Sequence, residues 1–195
     1  MGRWLASLPV DQRPDVVVCS PYLRTLGTAW FATRELDYQP VQVVDERLRD
    51  RELGILDLLT TRGVALRYPD ELIRKQRLGK FYYRPPCGES WADVALRLRS
   101  LLGDLDRDHA GKRVLLFAHE VTAYLLRYLL EGVPEKDLLA LAHGSAVTNG
   151  SLTSWTRDEV GFRLVHEHST AHLVRDDEEA TVEVPVRPST TRAWT

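Results

Sequence analysis

The stretch that decides the fold covers residues 16–25, which read Val-Val-Val-Cys-Ser-Pro-Tyr-Leu-Arg-Thr. The first four residues form a short, mostly β-branched apolar run, a pattern typical of a strand that is buried on both faces. Ser20 and Pro21 follow, in the usual order of a helix cap and a first helical residue. The spacing therefore predicts a strand over 16–19 and a helix over 21–35.

Working outward, the strand-then-helix pattern recurs. Residues 41–44 and 113–118 are further short apolar runs, and a helix is expected from His119 to about residue 130. A capping box of Ser90 and Asp93 opens a long amphipathic helix. Residues 151–155 and 162–167 alternate like a hairpin at a sheet edge. This alternation predicts an α/β fold, a three-layer sandwich with a mostly parallel sheet.

The ends of the chain differ in character. Residues 1–8 predict the end of an amphipathic helix, with Trp4, Leu5 and Leu8 on one stripe. A run of four acidic residues begins at Asp176, and the last residues are polar with two prolines. We therefore expect one domain over residues 1–172 and a disordered tail over residues 173–195.

Composition excludes several classes of protein. The 195 residues carry a formal net charge of −2, which provides no basic surface for nucleic acid and no polybasic membrane anchor. No uncharged apolar run approaches the ~18 residues of a membrane span. Two cysteines cannot form a disulfide framework, which favours a reducing compartment, and we expect a cytoplasmic protein.

Two side chains at predicted strand ends are candidates for binding an anion. Arg24 lies in the first turn of a predicted helix, where free N–H groups and the helix dipole favour negative charge. His119 follows the third predicted strand, and ligands in open α/β sheets bind at the carboxyl ends of the strands. Together they predict a phosphate site. A solvated arginine and a capping histidine are the structural alternatives.

Other chemistries are less well supported. Cys19 and Arg24 are separated by four residues, one of them proline, whereas a cysteine-dependent phosphatase loop needs five; Cys19 is therefore interpreted as a buried strand residue. A serine-hydrolase elbow is absent from the sequence. Three late histidines, His166, His168 and His172, lack acidic or cysteine partners at ligand spacing and are interpreted as surface residues rather than a metal site.

Five segments, in order, resemble motifs of the histidine phosphatase superfamily, in its phosphoglycerate-mutase-like branch. They are Ser-Pro-Tyr-Leu-Arg-Thr-Leu-Gly-Thr-Ala at 20–29, Leu-Arg-Asp-Arg-Glu-Leu-Gly at 48–54, Pro-Cys-Gly-Glu-Ser at 86–90, the strand 114–119 that ends in His119, and Asn-Gly-Ser-Leu-Thr at 149–153. No single segment is specific, but their joint order is.

The resemblance implies a mechanism without metal or cofactor. A histidine in an Arg-His-Gly motif takes the phosphoryl group, and water or a second substrate then accepts it. By resemblance Arg24 and His119 bind the phosphoryl oxygens, and His119 acts as the second catalytic histidine. Asp50 would protonate the leaving oxygen, with Glu52 as the alternative donor.

The departures from the family pattern affect activity. The sequence contains no Arg-His-Gly, because none of its six histidines follows an arginine. We expect the first central strand, which carries that motif beside strands 16–19 and 114–118, to be missing, leaving two central strands with unpaired backbone. Cys87 replaces a usual glycine. Glu120 follows His119 where glycine is usual, and its charge should weaken anion binding.

Three functions remain open from the sequence. The first is a phosphomonoester hydrolase acting on a small phosphorylated substrate, inactive or nearly so in this chain. The second is a non-catalytic pseudo-enzyme that binds phosphate or a partner, and the third is a phosphoglycerate mutase. An open sheet edge would favour self-association. The basic stretch 62–84 is either a lid that attracts substrate or a solvated helix face.

Overall fold

The computed structural model describes residues 1–144 and 147–173. Its main sheet has three parallel strands in the order β2-β1-β3. The strands are β1 (Val16–Cys19), β2 (Val41–Val44) and β3 (Val114–Phe117). All three are short and apolar, as predicted, and each leads into a helix or a helical turn.

Helices provide the two outer layers. In chain order they are α1 (Gly2–Ser7), α2 (Leu23–Thr33), α3 (Thr61–Arg67), α4 (Pro69–Tyr82), α5 (Trp91–Asp108), α6 (Glu120–Leu126) and α7 (Glu135–Gly144). Short 3-10 turns lie at Val10–Gln12, Glu46–Leu48 and Gly54–Leu56, and α6 continues into a π-helical turn over Arg127–Glu131. Most of this helical content follows the sequence prediction.

Alternation along β1 separates two hydrophobic clusters, because successive strand residues face opposite sides of a sheet. Val16 and Val18 pack with residues of α5, α6 and α7. Val17 and Cys19 pack with Leu5 of α1 and with residues of α2. The fold is therefore α/β with three layers, as predicted. Cys19 is a buried strand residue, and its burial raises the pKa of the thiol.

The start of α2 differs from the prediction. The helix begins at Leu23 with Tyr22 at its N-cap, rather than at Pro21 with Ser20 as the cap. The hydroxyl of Ser20 instead lies 2.8 Å from Nε2 of His119, a contact that local sequence does not reveal. At α5 the prediction is confirmed, because Ser90 and Asp93 form the reciprocal capping box.

The expectation that two central strands would have an unpaired edge is wrong for β1 but agrees with the structure for β3. β1 pairs with β2 on one side and directly with β3 on the other, so its backbone is satisfied along both edges. Within the described residues, only β3 among these two strands lacks a neighbour on one side. An additional strand of this sheet would therefore lie at an outer edge, beside β3 or β2, and not between β1 and β3.

The predicted hairpin forms, but not at the edge of the main sheet. β4 (Leu152–Arg157) and β5 (Phe162–Ser169) pair antiparallel as a separate two-stranded sheet. The Nε1 of Trp155 donates to Oε1 of Glu131 at 2.7 Å, and Arg127 forms an ion pair with Glu167. Side chains of the π-helical turn therefore attach the hairpin to the body.

Both ends of the predicted domain, residues 1 and 172, are among the described residues. Helix α1 places Leu5 in the core with Trp4 and Leu8 against it, as the stripe predicted. His172, the last residue of the predicted domain, packs against Trp4 in a tilted arrangement, with ring centroids 5.0 Å apart. The predicted tail lies outside the described residues from position 174 onward. In the part of the chain that the structure describes, no helix is long and apolar enough to cross a bilayer.

Candidate active site at the carboxyl ends of β1 and β3

Two strand ends meet at one edge of the main sheet and bring the candidate residues together. The register pairs Cys19 with Phe117, so Ser20 and Ala118 are the next residues on neighbouring strands. The backbone N–H of Ser20 donates to the carbonyl of Phe117 at 2.9 Å. His119 then takes the N-cap position of α6. The topology therefore positions His119 against the turn that leads into α2.

His119 is the centre of a compact polar cluster, and its side chain is only 4% exposed. Its Nε2 lies 2.8 Å from Oγ of Ser20, and its Nδ1 lies 2.8 Å from Nη2 of Arg24. Oδ2 of Asp50 is 3.6 Å from the same Nδ1. The imidazole and the ring of Tyr22 make a T-shaped contact, with centroids 5.1 Å apart. The imidazole therefore has a polar neighbour at each nitrogen and an aromatic neighbour.

The protonation of His119 follows from its environment. The pKa of His119 is lowered to about 4: burial is the largest cause, the positive charges of Arg24 and Arg97 act in the same direction, and the Asp50 carboxylate opposes them. The imidazole is therefore neutral at pH 7, and its approach to Asp50 is not an ion pair at that pH.

Arg24 is the exposed cation of the cluster. Its Nη2 donates to Oδ2 of Asp50 at 2.8 Å, and the side chain is 60% exposed against 38% for the carboxylate. The guanidinium also lies over the ring of Tyr22, 4.7 Å from the centroid. An exposed ion pair of this kind contributes little to stability. Its donors are consequently available to an anion at low cost.

The two predicted carboxylates occupy different places. Asp50 points into the cluster, with Oδ2 on Arg24 and Oδ1 accepting from the N–H of Arg51 at 2.8 Å. Glu52 points towards its rim, where it accepts from the hydroxyl of Tyr22 at 3.1 Å and pairs with Arg49. Of the two, the structure therefore brings Asp50 and not Glu52 next to His119.

The loop before α5 supports the segment that carries Asp50. Oε1 of Glu89 pairs with Nε of Arg97 at 2.9 Å, and Arg97 also donates to the backbone carbonyl of Asp50 at 3.2 Å. Gly54 is needed for this packing, because a Cβ there would lie 2.1 Å from the carbonyl oxygen of Pro86. Cys87 has a φ of 60°, the left-handed region that explains why glycine suits this position.

Sequence reasoning did not assign three residues of the cluster. Ser20 was interpreted as a cap, and neither Tyr22 nor Arg97 was given a role. Arg97 lies on the polar side of the α5 helix, where arginines are usually solvated. Its contacts with Glu89 and Asp50 span 8 and 47 residues of sequence, so periodicity gives no signal for them.

The expected effect of Glu120 on the pocket receives no support from the geometry. Its side chain is exposed, and its charge raises the pKa of Lys80 and of His168 against the lowering effect of their burial. The carboxylate therefore acts on groups of α4 and β5. It is not among the charges that shift the pKa of His119.

The late histidines are not all surface residues. His166 is exposed and contacts Ser154, but His168 packs against Tyr124 and its Nε2 is buried without a partner. The interpretation of His168 as a surface histidine is therefore wrong, because the hairpin folds back onto α6. Among the described residues, no three potential metal ligands cluster.

The basic stretch forms α3 and α4, which are anchored by aromatic residues. Phe81 and Tyr83 are buried, and the Tyr83 hydroxyl donates to Oε2 of the buried Glu71 at 2.8 Å. Lys80 lies over the ring of Trp91, 4.6 Å from its centroid. Six basic residues of the stretch are exposed: Arg62, Arg67, Arg74, Lys75, Arg77 and Arg84. Phe81 and Tyr83 therefore attach this segment to the body.

Comparison with known proteins identifies the class to which this site belongs. The sequence profile of the histidine phosphatase superfamily (branch 1) matches residues 1–170. The chain therefore belongs to the histidine phosphatase superfamily, as the five motifs indicated.

Individual relatives agree with this assignment. A 2,3-bisphosphoglycerate-dependent phosphoglycerate mutase of Methylobacterium radiotolerans is 32% identical over 127 residues, which cover 64% of this chain and 59% of the relative. The human 6-phosphofructo-2-kinase/fructose-2,6-bisphosphatase 3 is 32% identical over 90 residues, or 46% of this chain and 16% of the relative. The chain thus spans less than two thirds of the length of these curated relatives.

Solved structures support the same fold. The mycobacterial glucosyl-3-phosphoglycerate phosphatase in complex with inorganic phosphate superposes with a TM-score of 0.68 at 26% identity, covering 86% of this chain and 83% of that one. YhfR of Bacillus stearothermophilus gives a TM-score of 0.70 at 25% identity, with coverage of 89% and 81%.

Proposed function

We propose that the cluster at the ends of β1 and β3 is the phosphate pocket of a phosphomonoester hydrolase that acts through a phosphohistidine. One observation carries this proposal: Nη2 of Arg24 and Oδ2 of Asp50 both lie within 3.6 Å of Nδ1 of His119, at one edge of the sheet. A small phosphorylated substrate is the ligand class that such a pocket suits, because a guanidinium provides a planar set of donors for phosphate oxygens.

Each residue has a role in this scheme. Arg24 and His119 bind the phosphoryl oxygens and stabilise the charge that develops on them in the transition state. Asp50 protonates the leaving oxygen, and its place beside Arg24 favours it over Glu52, whose carboxylate is engaged by Tyr22 and Arg49. The nucleophilic histidine is not supplied by an Arg-His-Gly in this sequence. We therefore propose that the 195-residue chain alone is inactive or nearly so. No step in this scheme requires a metal or a cofactor.

The test compares the chain with a version extended by an upstream segment that carries Arg-His-Gly. Hydrolysis of a phosphate ester by the 195-residue chain should be undetectable, and the extended version should turn over. His119→Ala in the extended version should abolish that turnover. Robust hydrolysis by the chain alone would contradict the proposal.

Two alternatives have an observation in their favour. The absence of Arg-His-Gly from the sequence favours a pseudo-enzyme that binds phosphate without hydrolysing it. An in-frame Arg-His-Gly immediately upstream of Met1 in the genomic DNA would argue against it. The 32% identity to a phosphoglycerate mutase favours mutase activity. Transfer of phosphate between the hydroxyls of a glycerate, measured with the extended version, would separate mutase from phosphatase.

We also propose that the free edge of β3 pairs with a second copy of the chain. The carbonyls of Arg113 and Phe117 accept hydrogen bonds from β1, at Val16 and Ser20. Because successive residues of a strand bond in opposite directions, the backbone groups of Leu116 point to the free edge. Light scattering over a range of concentrations should show a dimer, and Val114→Lys should dissociate it.

The compartment is proposed from the cysteines. Cys19 is buried and Cys87 is exposed, and both are free thiols. An exposed free thiol suits a reducing environment, so we propose that the protein is cytoplasmic. The near-neutral charge supports a protein without nucleic-acid partners. Fractionation with thiol labelling of Cys87 would test the location, and an oxidised Cys87 in cells would contradict it.

A further inference from the structure

Ser20 lies within hydrogen-bond distance of His119, yet the proposed chemistry gives it no role. The residue is 0% exposed, so its hydroxyl cannot reach a substrate. Its backbone is fixed by the bond from its N–H to Phe117 and by Thr25, whose hydroxyl donates to the Ser20 carbonyl at 3.0 Å. Its Oγ is thereby held 2.8 Å from Nε2 of His119.

The donors around His119 determine where its proton lies. A guanidinium can only donate, so the Nδ1 that lies 2.8 Å from Nη2 of Arg24 must be the unprotonated nitrogen. The single proton of the neutral imidazole is then on Nε2 and is donated to Oγ of Ser20. The N–H of Tyr22 approaches the same oxygen at 3.4 Å, which occupies its second lone pair.

We propose that Ser20 is a positioning residue that holds the proton of His119 on Nε2 and keeps Nδ1 facing the phosphate pocket. A phosphate oxygen that carries no proton can only accept, so His119 binds it by taking up one proton at Nδ1. That proton comes from solvent or from the phosphate monoanion, and Arg24 moves its donor from Nδ1 to the phosphate. Ser20 continues to accept from Nε2–H, so both N–H groups of the imidazolium are satisfied.

The surrounding charges set the balance of this proton uptake. Asp50 favours the imidazolium, whereas Arg24 and Arg97 oppose it. An arriving phosphate adds negative charge beside Nδ1 and draws Arg24 away, so both changes favour protonation. This inference rests on the proposed phosphate pocket for its consequence, but the placement of the proton on Nε2 does not.

The first experiment reads the tautomer directly. In the full chain labelled with ¹⁵N-histidine, the ring signals of His119 are assigned by their loss in His119→Gln. The wild type should show a protonated Nε2 and a bare Nδ1 at pH 7. Ser20→Ala should shift the Nε2 signal and lower the pKa of His119, because the imidazolium loses an acceptor. Ser20→Cys keeps the size with a weaker acceptor and should give an intermediate shift.

Thr33→Ala is the matched control. It removes another buried hydroxyl, 7% exposed, which donates to the carbonyl of Ala29 within α2 and is bonded to neither Ser20 nor His119. Its His119 signals should match those of the wild type. Protonation of Nδ1 in the wild type, or signals unchanged in Ser20→Ala, would overturn the proposal, and the wild-type measurement decides even if Ser20→Ala does not fold.

The second experiment measures the proton with inorganic phosphate as the probe. Titration calorimetry at about pH 8.5, where nearly all inorganic phosphate is the dianion and the proton must come from solvent, in two buffers of different protonation enthalpy, should show uptake of close to one proton per phosphate bound. Ser20→Ala should weaken binding about tenfold, as expected for a lost hydrogen bond to a charged group. Thr33→Ala should bind like the wild type.

The two proposals fail in different ways. If the wild type binds no phosphate but Nε2 carries the proton and responds to Ser20→Ala, the phosphate pocket is wrong and the positioning role of Ser20 stands. If phosphate binds without proton uptake and equally well in Ser20→Ala, the phosphate pocket stands and the positioning role is wrong.

Discussion

Strands β1 and β3 have similar apolar sequences and different environments. All four residues of β1 are at most 4% exposed, whereas only Phe117 of β3 is buried. Helices pack on both faces of each strand, and the difference is lateral, because among the described residues β1 has a strand on each side and β3 has a strand on one side. Burial of an apolar strand thus depends on its neighbours in the sheet as much as on its composition.

The ends of the same two strands also differ in chemistry. β1 leads into an extended turn before α2, which presents Arg24 to solvent with a side chain that is 60% exposed. β3 leads directly to His119, which caps α6 and has a side chain that is only 4% exposed. An exposed cation and a buried neutral base therefore meet at one pocket. The following predictions test each side of this comparison.

The largest change in stability is expected when aspartate replaces residues that lie side by side on the three strands of the main sheet. Val18 pairs in register with Val43 on β2 and with Leu116 on β3. Val18→Asp should cost more than about 4 kcal/mol of unfolding free energy, because it buries a charge without a partner. Leu116→Asp should cost less, and Val43→Asp, at a site that is 37% exposed, should cost least. Chemical denaturation would measure the series, and equal losses at Val18 and Leu116 would contradict the lateral explanation.

The pH dependence of stability tests whether His119, the buried base after β3, is neutral in the folded protein. Folding lowers the pKa of His119 from an ordinary value of 6.5 to about 4, so the unfolded chain binds more protons between these values. The stability that this group contributes is present above pH 6.5 and is lost as the pH falls towards 4. The loss should be about 3 kcal/mol, at 1.36 kcal/mol per pKa unit.

His119→Gln provides the control for that prediction. Glutamine does not titrate, so the variant should lose less stability than the wild type between pH 7 and pH 4. Denaturation curves at four or five pH values would show whether the two profiles converge at low pH. Parallel profiles would mean that His119 titrates normally in the folded state.

Substitution of Arg24 tests whether the exposed cation after β1 binds phosphate. Arg24→Ala should weaken binding of inorganic phosphate at least tenfold, since hydrogen bonds to charged groups contribute about 1.5–3 kcal/mol. Arg77 is an exposed arginine of α4, and Arg77→Ala should leave the affinity within about twofold, as expected for a solvated charge. Calorimetry would compare the two variants. A larger loss at Arg77 would instead favour a lid that attracts the anion.

The smallest effect separates the two carboxylates. Asp50→Asn removes a negative charge beside the pocket and frees Arg24, so phosphate binding at pH 7 should tighten by about twofold to fivefold, the range of an exposed ion pair. Glu52→Gln should change the affinity little, because its carboxylate pairs with Arg49 at the rim. The reverse pattern would identify Glu52 as the pocket carboxylate.

Several features of the site could be predicted from local sequence. The apolar run before Ser20 and the run before His119 placed Arg24 and His119 at strand ends, and the sheet brings them together as expected. The same reasoning did not choose between Asp50 and Glu52 as the proton donor, because two carboxylates in one segment differ only in the direction that the backbone gives them. Their hydrogen bonds with Arg24 and Tyr22 distinguish them.

Other features depend on contacts between distant parts of the chain. Ser20 is 99 residues from His119, so its sequence neighbours predicted a helix cap and not a histidine partner. The separate hairpin was predicted at the sheet edge, since alternation indicates a strand but not the strand with which it pairs.

The strands, the long capped helix and the family could be predicted from the residues, because hydrophobic periodicity, capping and motif order are local properties of the chain. The strand order β2-β1-β3, the edge of β3 that is unpaired among the described residues and the partners of both nitrogens of His119 could not be predicted in this way. The physical reason is that strand pairing and side-chain hydrogen bonds join residues far apart in sequence, and their geometry exists only once the layers pack.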